Sequence, residues 1–169
     1  GGGRRGDGRL GGSGEEFGDE GMRIIGAHAL LAESVAPVGV LTKRGFTAQE
    51  ERDAQVGAEV CRISGDLDIG QAVAAFEGVV VAVEAVEGTD EMLRRAGELT
   101  ARRGGVVVKL CKRHQDLRLD LPTIGQHTIS RMVEAGLTAL VIEAGKTVLL
   151  TPVETIAQAN AAGIAIVAQ

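Results

Sequence analysis

The chain reads as an α/β protein: a mixed sheet with hairpins and flanking helices, in a single domain. Three observations predict this. From Gln71 onward, short runs of Val, Ile, Leu and Ala alternate with helical stretches. Two links between runs, Glu77-Gly78 and Ala144-Gly145-Lys146, are so short that the strands they join are expected to be antiparallel. The helical stretches also carry their own start and stop signals.

In chain order, Gly1 to Gly21 holds ten of the 25 glycines, including Gly11-Gly12-Ser13-Gly14. A phosphate loop would end in Gly-Lys-Ser/Thr after a strand, which this stretch lacks, so a flexible tail or linker is expected. Met22 to Gly26 reads as a short strand, and Ala27 to Gly39 as loop with a helical turn. Thr47-Ala-Gln-Glu50 is a capping box, in which hydroxyl and carboxylate each satisfy an end amide. It opens a helix from Ala48 to about Ser64, with Gly65 as its stop. Gln71–Phe76 and Val79–Glu84 form a hairpin. A helix follows with Asp90 and Glu91 in its first turn, where the dipole favours them. Met92, Leu93, Ala96 and Leu99 give it an apolar face, and Gly104-Gly105 ends it. Gly105 to Leu110 is a buried strand. Gly125 to Ala135 is a helix with Ile129, Met132 and Val133 on one face and Gly136 as its stop. Thr138–Glu143 and Thr147–Leu150 are expected to form a second hairpin. Thr151-Pro-Val-Glu154 reads as another capping box, with Pro at the first helical position. That helix ends at Gly163, and Ile164 to Val167 is a closing strand.

Composition removes several functions. At 169 residues the chain can bury a proper core. A net charge of −5, with no Trp or Tyr, argues against nucleic acid as a partner, since neither a basic stripe nor a stacking platform is present. No apolar run is long enough to cross a membrane. Cys61 and Cys111 have no metal-ligand spacing and read as reduced, buried, small hydrophobes of a cytoplasmic protein.

The chemistry concentrates between Lys109 and Thr128. Lys109, Lys112, Arg113 and Arg118 surround the carboxylates Asp116 and Asp120, with His114 and Gln115 between them. Cations to hold an anion, and carboxylates to hold a metal or a water, are what phosphoryl transfer and diphosphate hydrolysis need. Extended backbone places Asp116, Arg118 and Asp120 on one face, whereas a helix keeps the two acids neighbours. The plainer reading is a solvated loop with a surface ion triad. Arg102, Arg103, Lys109, Lys112, Arg113 and Arg118 form a basic island opposed only by Asp116, which suits a small phosphorylated ligand. Arg102 and Arg103 also read as cations at a helix C-terminus. Glu84, Glu87 and Asp90 make a second acidic group before a helix N-terminus, able to hold a metal or simply to cap the helix. His114 and His127 flank the loop without ligand spacing.

Three stretches together resemble one family: Arg23-Ile-Ile-Gly-Ala-His28, Glu84-Ala-Val-Glu-Gly-Thr-Asp90, and Lys109 onward, with Gln115-Asp116-Leu-Arg118-Leu-Asp120-Leu-Pro122-Thr-Ile-Gly125-Gln-His-Thr128. They are similar to the C-terminal domain of the LpxI-type UDP-2,3-diacylglucosamine pyrophosphatases. Asp68-Ile-Gly70-Gln71 fits the same pattern. The resemblance implies a cytoplasmic enzyme of lipid A biosynthesis, dependent on Mg²⁺ or another divalent cation. It would cleave UDP-2,3-diacylglucosamine to UMP and 2,3-diacylglucosamine 1-phosphate, with water attacking the uridine-side phosphorus. It implies Asp116 and Asp120 as catalytic and metal-binding, joined at the metal by Glu87 and Asp90. Gln71, Thr89, Lys109, Lys112, Gln115 and Arg118 are the expected substrate contacts. Peripheral contact with the inner membrane and a homodimer are compatible with it. The family's N-terminal half has no counterpart here, so a fragment is expected, with residues 1–21 as tail or remnant and 22–169 as the catalytic-type domain. Arg113 also stands where the family tends to have Pro. The alternative is a non-catalytic anion-binding or dimerisation module.

Overall fold

The computed structural model describes residues 34–113 and 121–169. The elements in order are β1 (Gly39–Val40), α1 (Ala48–Asp66), β2 (Ala72–Phe76), β3 (Val79–Val83), α2 (Thr89–Leu99), β4 (Val106–Lys109), β5 (Thr123–Ile124), α3 (Gln126–Ala135), β6 (Ala139–Ile142), β7 (Val148–Leu149), α4 (Pro152–Ala162) and β8 (Ala165–Ala168). The expected tail and the Met22 strand lie outside the described residues.

The mixed sheet is borne out. Six strands run in the order β1-β8-β6-β4-β2-β3. β4, β6 and β8 are mutually parallel, while β2 is antiparallel to β4 and β1 to β8. The parallel strands are almost wholly apolar, as strands covered on both faces must be. One face carries α1, packed through Ala54, Ala58 and Cys61 on Val73, Val106, Val108 and Val141. The other carries α2, α3 and α4, through Met92, Leu93, Ile129, Met132 and Ala159 on Val107, Leu140, Ile142 and Ile166. With so little aromatic volume, the core is filled by branched aliphatics on a sheet rich in Ala.

The Thr47–Glu50 capping box forms as expected and opens α1, which runs to Asp66. The Glu77-Gly78 hairpin also forms. Both turn residues have positive φ, 53° and 84°, the geometry that suits a two-residue hairpin. Asp53 of α1 accepts from both turn amides, Glu77 N at 3.1 Å and Gly78 N at 2.7 Å.

Four expectations need correction. β6 and β7 do not pair with each other, so the second hairpin is absent. Both edges of β6 are occupied by β4 and β8, and β7 instead pairs in parallel with β5 as a separate two-stranded ribbon. Thr151 is not a side-chain cap. Its backbone is left-handed (φ 40°), and the hydroxyl of Thr155 bonds the carbonyl of Leu150 instead, although Pro152 does open the helix. Leu99 and Val133 are exposed, at 62% and 49%. The buried stripes run through Met92, Leu93, Ala96 and Gly97 on α2 and through Ile129, Met132 and Ala135 on α3. Finally, α2 stops at Thr100, before the glycines, where Ala101 and Arg102 take left-handed backbone.

Candidate functional site

The topology sorts the polar groups onto two edges of the sheet. β4, β6 and β8 all end at one edge, and β3 runs in their direction and ends there too. α2, α3 and α4 therefore begin at that carboxyl edge, where ligands of open α/β sheets bind. None of the three has a side-chain hydrogen bond capping its N-terminus. The residues before α2 and α3 are Gly88 and Gly125, which have no side chain to give. At α3 only the reverse bond exists, from Gly125 N to Thr128 Oγ1 at 3.5 Å. Among the described residues, no N-cap side chain takes up the first-turn amides, which could serve an outside acceptor.

α2 and α3 lie side by side and start together. Asp90, in the first turn of α2, meets His127 of α3 at 2.7 Å, and Arg131 Nε stands 3.9 Å from the same oxygen. Farther along, Gly97 lets the helices touch, since a Cβ there would sit 2.7 Å from the Ala135 backbone. Beyond α2, Arg102 Nε donates to the Glu134 carbonyl at the end of α3.

Beside these two N-termini lies a buried polar cluster. Glu84 follows β3 and is 8% exposed. Its Oε1 accepts from the Gln71 amide at 3.0 Å and its Oε2 from the Thr89 hydroxyl at 2.9 Å. A Cβ at Gly70 would stand 2.0 Å from the Glu84 carbonyl oxygen, so only glycine fits there. Lys109 ends β4 on the face that packs α2 and α3, and its Nζ donates to the Thr123 carbonyl at 3.4 Å. Burial pulls the Lys109 ammonium below the usual lysine range, and the charges of Glu84 and then Asp90 oppose that pull.

The expected site residues separate accordingly. Thr89, Lys109, Asp90 and the backbone of Gln71 come together at this edge. The Gln71 Oε1 is buried without a hydrogen-bond partner among the described residues. Glu87 is engaged by Arg95, whose hydrogen bond holds its carboxyl below the usual range. Lys112 pairs with Asp68 at 2.9 Å. It lines a cavity of about 220 Å³ on the α1 side with Cys61, Arg62, Glu143 and Lys146. Asp116, Asp120, Gln115 and Arg118 lie outside the described residues.

The basic island is divided. Arg102 and Arg103 stand at the far end of β4, where Arg103 lies over the Phe76 ring at 5.1 Å. Arg102 does cap a helix, but the neighbouring one. At the near end, Asp68 and Asp66 oppose Lys112 and Arg113, the latter pair at 3.3 Å. Both cysteines are free; Cys61 is buried and its thiol is pushed up to about 11 by burial, whereas Cys111 is only partly covered. Among the described residues no group of three or more His, Cys, Asp and Glu side chains could hold a metal ion. The donors at the edge, Asp90 and Gln71 Oε1, are oxygens of the kind a hard divalent cation takes, and they do not suit zinc.

Sequence reasoning missed two partnerships. Glu84 counted only as one of three acids, and His127 only as a neighbour of the loop. For Glu84 a signal existed: an acid directly after the apolar run Val79–Val83, at the end of a strand.

Residues 37–167 match the family described as the LpxI C-terminal domain. Over 157 residues the chain is 42% identical to the UDP-2,3-diacylglucosamine pyrophosphatase LpxI of Caulobacter vibrioides, covering 89% of this chain and 56% of that protein.

Proposed function

The chain belongs to the LpxI C-terminal domain family, and we propose that it serves a metal-dependent hydrolysis of UDP-2,3-diacylglucosamine to UMP and 2,3-diacylglucosamine 1-phosphate, a step of lipid A biosynthesis in the cytoplasm. The observation that carries this reading is the pair of α2 and α3 N-termini, both preceded by glycine and lacking side-chain caps, with the desolvated Lys109 beside them. Free amides and an ammonium in a partly dry site are donors for a diphosphate. The wording of the relative's name and the family match support the same chemistry.

In this reading Lys109 and the first-turn amides of α2 and α3 hold the phosphate oxygens. Removal from water strengthens that hold, because the amides are fixed before the substrate arrives. Asp116 and Asp120, with Asp90 as a further oxygen donor, would hold Mg²⁺ or a similar ion, which when bound neutralises diphosphate charge and makes its water more acidic. Gln115 and Arg118 are assigned to the substrate by the family resemblance. Lys112, which pairs with Asp68 on the α1 side, is assigned to a more distant part of the same ligand.

The test is UMP release from UDP-2,3-diacylglucosamine by the full-length protein that carries this chain, with and without Mg²⁺. Asp116→Asn should lose about 10²–10⁴ in rate while melting as the wild type does. An Asp116→Asn protein that turns over normally removes Asp116 from the mechanism. Binding of UMP with no hydrolysis under any metal would favour the anion-binding module instead.

A further inference from the structure

We propose that Glu84 is a positioning residue that fixes the polarity of Thr89, so that the Thr89 oxygen meets the ligand only as an acceptor. The inference rests on the diphosphate reading of the site and deepens it. It assigns to Thr89 a donor, either a ligand hydroxyl or an ordered water, and leaves the phosphate oxygens to Lys109 and the helix amides.

The geometry is specific. A carboxylate only accepts hydrogen bonds, whereas a hydroxyl has one proton and two lone pairs. The Thr89 proton is committed to Glu84 Oε2 at 2.9 Å. What remains on Oγ1 is lone pairs, which repel a phosphate oxygen and attract a donor. Glu84 cannot turn away from this duty. Its other oxygen holds the Gln71 amide at 3.0 Å, its own amide bonds the Ala72 carbonyl at 2.9 Å, and its carbonyl is pressed against Gly70. Thr89 is in turn the first residue of α2, so its hydroxyl is fixed at the uncapped helix end. Glu84 is also the foremost of the two carboxylates whose charge reaches Lys109. One buried acid therefore sets the hydroxyl as acceptor and tempers the positive charge beside it.

A purely structural acid would be replaced well by its amide. In Glu84→Gln, Oε1 can still accept from Gln71, but the amide now donates to Thr89 Oγ1 and frees its proton. The carboxylate charge near Lys109 is lost as well.

The experiment measures inorganic pyrophosphate affinity by calorimetry, and UMP release, in the full-length protein that carries this chain. The variants are Glu84→Gln, Thr89→Val and Thr89→Ser. Glu84→Gln should bind pyrophosphate about 3- to 10-fold more tightly, since a nearby negative charge is gone. It should nevertheless release UMP at least about tenfold more slowly, because the donor at Thr89 is no longer held. Thr89→Val should bind pyrophosphate within about twofold of the wild type yet release UMP more slowly, and Thr89→Ser, which keeps the hydroxyl, should recover most of that lost turnover. Unchanged affinity and turnover in Glu84→Gln would overturn the proposal. So would a tenfold loss of pyrophosphate affinity in Thr89→Val, which would mean that Thr89 donates to phosphate. Should Glu84→Gln fail to fold, the Thr89→Val affinity decides alone. A wild type that binds pyrophosphate yet never releases UMP would sink the hydrolase reading, while the affinity changes still decide the role of Glu84. A wild type that does not bind pyrophosphate would sink both.

Discussion

The two edges of the sheet solve the same problem in opposite ways. At the amino edge, Glu50 opens α1 within a complete capping box and takes a bidentate bond from Arg44 at 2.9 and 3.0 Å. Thr138 donates to the same carboxylate at 2.7 Å, while Arg44 also reaches the carbonyls of Thr138 and Gly163. Each of the three Arg44 guanidinium nitrogens has an internal acceptor. At the carboxyl edge, glycines stand where caps would be, a lysine is desolvated with one long hydrogen bond, and the Gln71 carbonyl oxygen has no partner among the described residues. Buried polar groups are normally satisfied. Among the described residues the carboxyl edge leaves such groups open, as the proposed anion site requires, whereas the amino edge closes them.

The largest expected effect on stability comes from opening the closed edge. Arg44→Met leaves the buried Glu50 without its cation. Such a loss costs about 3–5 kcal/mol in a fully buried pair, and about 2 kcal/mol here, because the Arg44 side chain is 37% exposed and solvent screens it. Burial alone would raise the Glu50 carboxyl, but the bonds from Arg44, Thr47 and Thr138 outweigh it and hold it below its ordinary 4.5. A lowered carboxyl contributes stability above the unfolded value, and that contribution is lost as pH falls through the folded one. Wild-type stability should therefore fall on acidification below about 4.5, and the fall should shrink in Arg44→Met. Urea unfolding at pH 7 and pH 4 reads both. Turnover per folded molecule should not change. A cost under about 1 kcal/mol would mean that this edge is not the stronger one.

The closed edge was also the more legible in the sequence. Thr47 and Glu50 are three apart, and their reciprocal bonding is local chemistry. The Glu77-Gly78 turn and the stops at Gly136 and Gly163 were readable for the same reason. The pairing of β6 was not, because a short link suggests a hairpin and only the whole sheet shows that both edges of β6 are taken. Leu99 and Val133 misled because apolar residues at roughly helical spacing need not fall on the packed stripe. In the site, Lys109, Thr89 and Asp90 stood out by type. Their meeting with Glu84 and His127 depends on a crossover joining residues 84–90 to residues 109–127, which no local pattern contains.

Breaking the open edge should separate function from stability. Lys109→Met removes the only ammonium shown beside the two N-termini among the described residues. Loss of one such preorganised donor typically costs about 10²–10³ in rate. Because burial lowers the Lys109 ammonium from its ordinary 10.5, the folded protein sheds that proton sooner than the unfolded chain does. Wild-type stability should then rise with pH between the lowered value and 10.5, and Lys109→Met should lack that slope. At pH 7 the variant should be no less stable than the wild type. Thermal unfolding from pH 7 to 10, beside UMP release at pH 7, tests both halves. A variant that unfolds readily at pH 7 would make Lys109 a structural residue and erase the contrast between the edges.

The smallest effect sharpens the comparison most, because it gives the open edge a cap. Gly88 is unsuitable, since its φ of 91° would strain any side chain. Gly125 is suitable, with an extended backbone at φ −149° and ψ −168°. In Gly125→Ser the hydroxyl can accept from a first-turn amide of α3. The gain over glycine is only a few tenths of a kcal/mol. The new Cβ would stand 3.2 Å from that of Leu150, a tight contact that offsets part of the gain. Stability should thus move by no more than about 0.5 kcal/mol either way. Anion binding should suffer more, because the serine occupies an amide the phosphate would use. Losing one such bond, worth about 1 kcal/mol, corresponds to roughly fivefold weaker pyrophosphate binding by calorimetry. If Gly125→Ser binds pyrophosphate as well as the wild type, the α3 N-terminus is not part of the anion site, and the phosphates must be held by α2 and Lys109 without it.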